Sequence, residues 1–221
     1  MTSETLKVQT SAGEATAYAA RPELDTSRTV LVIQEYWGLN DHIRDIADRY
    51  ANEGFIAIAP DLYRGQIAKD SVTAAELMKH LAIEDGLEII RQTMAAATGA
   101  YGVTHFGITG FCMGGTYALR AACELEGISA AAPFYGDTPP EEILMKLTTP
   151  TIFVSAARDA WINSEKVAAL EEIAEKYELP ITQAKYEADH AFFNNTRPDV
   201  YNDAAAKDAW ALITGFFNDK L

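Results

Sequence analysis

Gly110-Phe111-Cys112-Met113-Gly114-Gly115 lies between an apolar run, Val103 to Thr109, and a stretch of helix-forming composition, Thr116 to Ala122. A chain that passes directly from a buried strand into a helix leaves the residue at the bend in strained backbone geometry, and its neighbours two positions away on either side must be tiny. Gly110 and Gly114 meet that demand, so this segment predicts a strand–turn–helix unit with Cys112 raised on the turn. A helix opening at Gly114 would aim free N–H groups and a positive dipole end at the sulfur, which predicts a thiol biased toward thiolate. A free cysteine beside a glycine-rich turn can also be a small packed hydrophobe. Two further residues weigh against that bland reading.

Asp159 ends the segment Pro150 to Asp159, in which a short apolar strand runs into a loop, and His190 follows the strand-like stretch Ile181 to Tyr186. The order nucleophile, acid, histidine is that of α/β-hydrolases and differs from both common serine protease orders. A sulfur nucleophile needs a base for its proton, and the base needs an acid to fix its tautomer and support its positive charge. Cys112, His190 and Asp159 supply those roles. Taken singly, His190 could be a hydrogen-bonded loop histidine, and Asp159 a turn residue or a cap ahead of Asn163. Asp189 competes for the acid role, but adjacent side chains in extended chain point to opposite faces, which favours Asp159.

A length of 221 residues with 48% hydrophobic content suits one domain spanning 1–221. Met1 to Gln9 is polar and lacks the apolar run of a signal peptide, and no stretch of about 18 apolar residues occurs that would span a bilayer. The expected address is cytoplasmic, with no membrane partner. Cys123 follows Cys112 by 11 positions on the same expected helix, out of disulfide reach at about 1.5 Å per residue. Both thiols are expected to be free. A net charge of −14 argues against nucleic acid as a partner. With no metal-ligand spacing of Cys and His and no phosphate-binding glycine motif, no metal and no cofactor are expected.

Leu6 to Thr10 and Ala15 to Ala20 alternate as a β-hairpin around Gly13. Beyond it come continuous apolar strands at Thr29 to Gln34, Phe55 to Ala59 (stopped by Pro60) and Val103 to Thr109, with another near Ile128 to Ala132. Helices are expected at Asp41 to Asn52 (capped by Asn40), Thr73 to Ala82, Glu84 to Thr98, Asn163 to Tyr177 and Asp203 to Asn218, with a short one ending near Leu147. Val167, Leu170, Ile173 and Ala174 form an apolar stripe on the fourth of these. The alternation predicts an α/β fold: a mostly parallel twisted sheet, helices on both faces and an N-terminal β-hairpin. Cys112, Asp159 and His190 then fall at carboxyl ends of strands, where such sheets place their sites.

With these elements in place, nearly the whole chain resembles the dienelactone hydrolase (carboxymethylenebutenolidase) family of the α/β-hydrolase superfamily. Besides the Gly110–Gly115 turn, the resemblance rests on Gln34-Glu35-Tyr36-Trp37-Gly38-Leu39-Asn40, Ala59-Pro60-Asp61-Leu62-Tyr63, Phe134-Tyr135-Gly136 and His190-Ala191-Phe192-Phe193. It implies that Glu35 contacts the resting thiol and, once displaced by substrate, assists its deprotonation. The N–H groups of Tyr36 and Met113 would form the oxyanion hole. Tyr36, Trp37, Tyr135, Trp161 and Phe192 become candidate substrate-pocket walls. The implied reaction is hydrolysis of a small ester or lactone through a thioester on Cys112, by a monomer or small homo-oligomer. A thiol-dependent isomerase or transacylase, or a noncatalytic ligand-binding relative, is the alternative. The sequence departs from the family at Asn194, where characterised members carry a substrate-binding arginine four positions after the histidine. Arg197 is the candidate replacement, with Arg64 and Lys79 further possibilities, and the departure favours short-chain esters over dienelactones.

Overall fold

Strands β1 (Thr2–Thr10), β2 (Gly13–Arg21), β3 (Thr29–Ile33), β4 (Ile56–Pro60), β5 (Phe106–Phe111), β6 (Ile128–Phe134), β7 (Thr151–Arg158) and β8 (Ile181–Asp189) form one sheet in the order β1-β2-β4-β3-β5-β6-β7-β8 in a computed structural model that describes residues 1–221. The hairpin β1–β2 is antiparallel, with Thr10 opposite Gly13, and β2 runs antiparallel to β4. All other pairings are parallel. Gly13 turns the hairpin at φ 118°, a value that L side chains avoid. Pro60, expected beyond the strand, is its last residue and pairs with Ala17.

Parallel neighbours require crossovers, here made by α1 (Asp41–Asn52), α2 (Ser71–His80), α3 (Ile83–Tyr101), α4 (Met113–Glu124), α5 (Glu141–Leu144) and α6 (Ser164–Lys176), while α7 (Asp203–Lys220) closes the chain. The continuous apolar sequence of β3 follows from this cover on both faces. Val30 and Val32 join a buried cluster with Ile43 and Ile46 of α1 and Ile213 and Phe217 of α7, whereas Leu31 and Ile33 join the other buried cluster, which holds Ile90 of α3, Ala118 of α4 and Leu170 of α6. Burying Leu31 or Ile33 contributes about 1.5–3 kcal/mol each. No helix is long and apolar enough to cross a membrane.

The helix ends follow local chemistry. Asn40 accepts the Ile43 N–H at 3.2 Å and starts α1 where expected. Asp70 accepts the Thr73 N–H at 2.8 Å, so α2 begins two residues earlier than its apolar pattern suggests, at Ser71. Only Leu170 of the expected α6 stripe is fully buried; Glu171, Ala174 and Glu175 of α6 border an open surface cleft with Ile181 and Gln183 of β8, a half-exposed edge strand of the sheet. Strand order departs from β3 in both directions, to β4 on one side and β5 on the other. The carboxyl ends of β3 and β5 therefore flank a crevice.

Candidate active site

Cys112 bridges β5 and α4 with φ 56° and ψ −115°. A Cβ on Gly110 would lie 2.2 Å from the Gly114 carbonyl oxygen, and one on Gly114 would lie 2.3 Å from that of Ile33. Only hydrogen fits at either point, so the two glycines let the turn close against the end of β3. The Cys112 N–H donates to Phe134 O at 3.1 Å and ties the turn to β6. Three of the five non-glycine residues with positive φ, Cys112, Tyr135 and Ala191, stand just beyond β5, β6 and β8. Backbone strain thus concentrates around the sulfur, as it does at functional sites.

Asp159 and His190 are brought together from the ends of β7 and β8. The His190 Nδ1–H donates to Asp159 Oδ2 at 2.5 Å, while Asp159 Oδ1 accepts the N–H groups of Trp161 and Ile162 at 2.8 and 2.9 Å. Burial alone would raise the Asp159 carboxyl, but His190 and the two N–H groups outweigh it and hold it below its ordinary range. Because the acid accepts at Nδ1, the imidazole presents Nε2 as its free lone pair. That atom is buried and has no protein partner. Asp189 is occupied elsewhere, with two contacts of 3.1 Å to Arg158 at the surface.

The expected bias of the sulfur toward thiolate does not hold at rest. Burial pushes the Cys112 thiol up to about 12, Glu35 adds to the rise, and the opposing Met113 N–H is outweighed. A helix terminus offers roughly 0.3–1 kcal/mol, less than the cost of burying an anion beside a carboxylate. Glu35, 2% exposed, is itself pushed up to about 7 by burial, against the pull of the Asn194 amide and the Arg197 charge. Asn194 Nδ2 donates to Glu35 Oε2 at 2.7 Å. The sequence marks Asn194 only as a missing arginine; its role as the Glu35 partner depends on a contact between positions 159 residues apart.

Cys112, Met113, His190, Tyr36 and Tyr135 all line one cavity of about 460 Å3, joined by Trp161 and by Ala75 and Met78 of α2. Tyr63 supports Met113 from below, its hydroxyl 3.1 Å from the Met113 sulfur. Other expected wall residues lie elsewhere. Phe192 is wholly buried against Tyr135 and Tyr186. Its direction follows from Ala191, whose positive φ turns the chain inward after His190. Trp37 and Arg197 border a neighbouring polar cleft with Asn194, and Arg197 bonds Asp199 at 3.1 Å. Arg64 is taken up by Asp85 through two bonds of 2.7 and 2.8 Å, and Lys79 is not on the wall.

A parallel sheet with a strand–sulfur–helix bend, and an acid and a histidine at the ends of later strands, defines an α/β-hydrolase. The family model described as "Dienelactone hydrolase family" matches residues 15–221, and the chain belongs to that family. Membership makes it a carboxylic ester hydrolase of the esterase and lactonase kind. Among its relatives, "Protein usf" of Aquifex pyrophilus is 33% identical over 87% of this chain and 88% of its own. A "Putative carboxymethylenebutenolidase" of Aquifex aeolicus is 32% identical over 92% and 93%. A crystal structure titled as a "Putative Dienelactone Hydrolase" from Klebsiella pneumoniae superposes with a TM-score of 0.91 at 29% identity, covering 98% of each chain.

Proposed function

We propose that the protein hydrolyses small carboxylic esters or lactones with Cys112 as nucleophile, His190 as proton carrier and Asp159 as the group that orients it. The observation that carries this reading is the His190 ring. Its Nδ1–H is held by Asp159 and its Nε2 is unpaired, on the cavity that Cys112 also lines. With substrate bound, Nε2 takes the thiol proton as Sγ bonds to the ester carbonyl carbon, and the carbonyl π electrons move to oxygen. The resulting oxyanion is received by the Tyr36 and Met113 N–H groups. Met113 opens α4 and has no acceptor within its own helix, and the Tyr36 N–H makes no backbone hydrogen bond.

Collapse of the intermediate breaks the bond to the alkoxide or enolate, which leaves with the proton from Nε2. Water then attacks the thioester, giving its proton to His190, and the thiol is restored as the acid departs. A resting thiol held protonated by burial and Glu35 suits this sequence, since the anion forms only when substrate and base are in place. Cys112→Ala is expected to remove turnover of p-nitrophenyl acetate by at least about 10⁴-fold. Turnover that survives in a Cys112→Ala protein with an unchanged circular dichroism spectrum overturns the assignment.

A further inference from the structure

The cavity has an apolar mouth. Trp161 is 60% and Met78 42% exposed although both are large and apolar, and both border the space above Cys112. Trp161 stands in the loop after β7, its ring 4.9 Å from that of His190. Met78 sits on α2, a helix whose one fully buried side chain is Ala74. Ala75 and Ile162 extend the same lining. Water at such a surface is released when an apolar ligand covers it.

Charge on the wall is self-cancelling. Apart from His190, the charged lining residues are Asp137 and Lys166, and they bond each other at 2.8 Å. A substrate carboxylate that drew Lys166 away would leave Asp137 unpaired, exchanging one ion pair for another. Neither Arg64 nor Arg197 lines the space: Arg64 is bound to Asp85, and Arg197, which borders an adjoining cleft with Trp161 and His190, is bound to Asp199, while at the sulfur the pull of Arg197 is opposed by Glu35 and Asp159. A bidentate anion clamp is missing.

We infer that the esters taken by this site are neutral and carry a short apolar group seated against Met78 and Trp161, and that carboxylate-bearing esters and lactones are rejected. The inference rests on the reading of Cys112 as nucleophile. It is tested with purified protein on p-nitrophenyl acetate, butyrate and hexanoate, and on the p-nitrophenyl monoester of succinate, close to the butyrate in size but anionic. Specificity, kcat/KM, is expected to rise about twofold to fourfold per methylene, with the succinate monoester at least about tenfold below the butyrate. Met78→Ser is expected to lower the hexanoate-to-acetate ratio about fivefold. A succinate monoester turned over as well as the butyrate, or a flat chain-length series, overturns the inference while Cys112-dependent hydrolysis stands. If Cys112→Ala leaves turnover of all four esters intact, the reading beneath it falls as well.

Discussion

Glu35 leans on a neutral partner, Asn194, whose amide donates to Glu35 Oε2 at 2.7 Å while its own carbonyl accepts the Thr196 N–H and hydroxyl at 3.0 and 2.6 Å. Thr196 thereby fixes which end of the amide faces the carboxyl. A guanidinium in its place would hold the carboxylate ionised; an amide leaves burial dominant, and Glu35 is pushed up to about 7.

Stability should carry the signature of that shift. An unfolded glutamate ionises near 4.5, so between about pH 4.5 and 7 Glu35 binds more protons folded than unfolded, and its own contribution to stability falls as pH rises. Glu35→Gln removes the buried charge. Its stability relative to the parent is expected to improve progressively across that window, by up to about 3 kcal/mol above pH 7. Urea unfolding of both proteins at pH 4.5, 6 and 8 measures the trend; a difference independent of pH would show that Glu35 ionises normally.

The same substitution should release the sulfur. Glu35 is the second cause of the raised Cys112 pKa after burial, so Glu35→Gln is expected to speed iodoacetamide modification of Cys112 at pH 8 several-fold. Cys123 provides an internal control, since its own pKa rise comes from burial and Glu124. Peptide mapping by mass spectrometry separates the two sites. Equal rates at Cys112 in both proteins would mean that Glu35 does not govern the resting thiol.

Asp159 has a structural and a chemical task, and Asp159→Asn separates them. The asparagine carbonyl can still accept the Trp161 and Ile162 N–H groups, but its NH2 then faces His190 Nδ1 and favours the tautomer with the proton on Nε2, where no proton can be accepted. On the proposed mechanism kcat is expected to fall by about 10³–10⁴, with the unfolding midpoint close to that of the parent. Retained turnover would point to another group orienting the ring.

Much of this site was legible because it rests on local rules. The glycine spacing around Cys112 reports a steric requirement, and the alternation of strand and helix places Asp159 and His190 at strand ends. The protonation state of the sulfur was not legible, since dipole direction follows from sequence while the depth of burial follows from how β3, β5 and α4 meet. The aromatics divide similarly. Tyr36, Tyr135 and Trp161 face the cavity, but Phe192 turns inward because the backbone at Ala191 takes a positive φ, which an alanine does not advertise. Asn194 escaped for a further reason: an asparagine becomes a carboxylate's partner only when the fold brings β3 and the chain beyond β8 together.

The steric requirement at the turn can be weighed directly with one substitution and one control. Gly114→Ala would place a Cβ 2.3 Å from Ile33 O and 2.5 Å from Gln34 O. Both are backbone atoms at the end of a buried strand, so relief requires moving α4 or β3 rather than rotating a side chain. A loss of about 3 kcal/mol is expected from this overpacking, together with loss of ester turnover as Cys112 shifts from His190. Gly99, exposed within α3, has nothing within 4 Å of a Cβ. Gly99→Ala is therefore expected to stabilise by about 0.5–1 kcal/mol through helix propensity alone and to leave turnover unchanged. Denaturant unfolding and p-nitrophenyl acetate turnover of both variants decide the matter: similar stability in the two would mean that the end of β3 yields to the turn, and the glycine at 114 would then need another explanation.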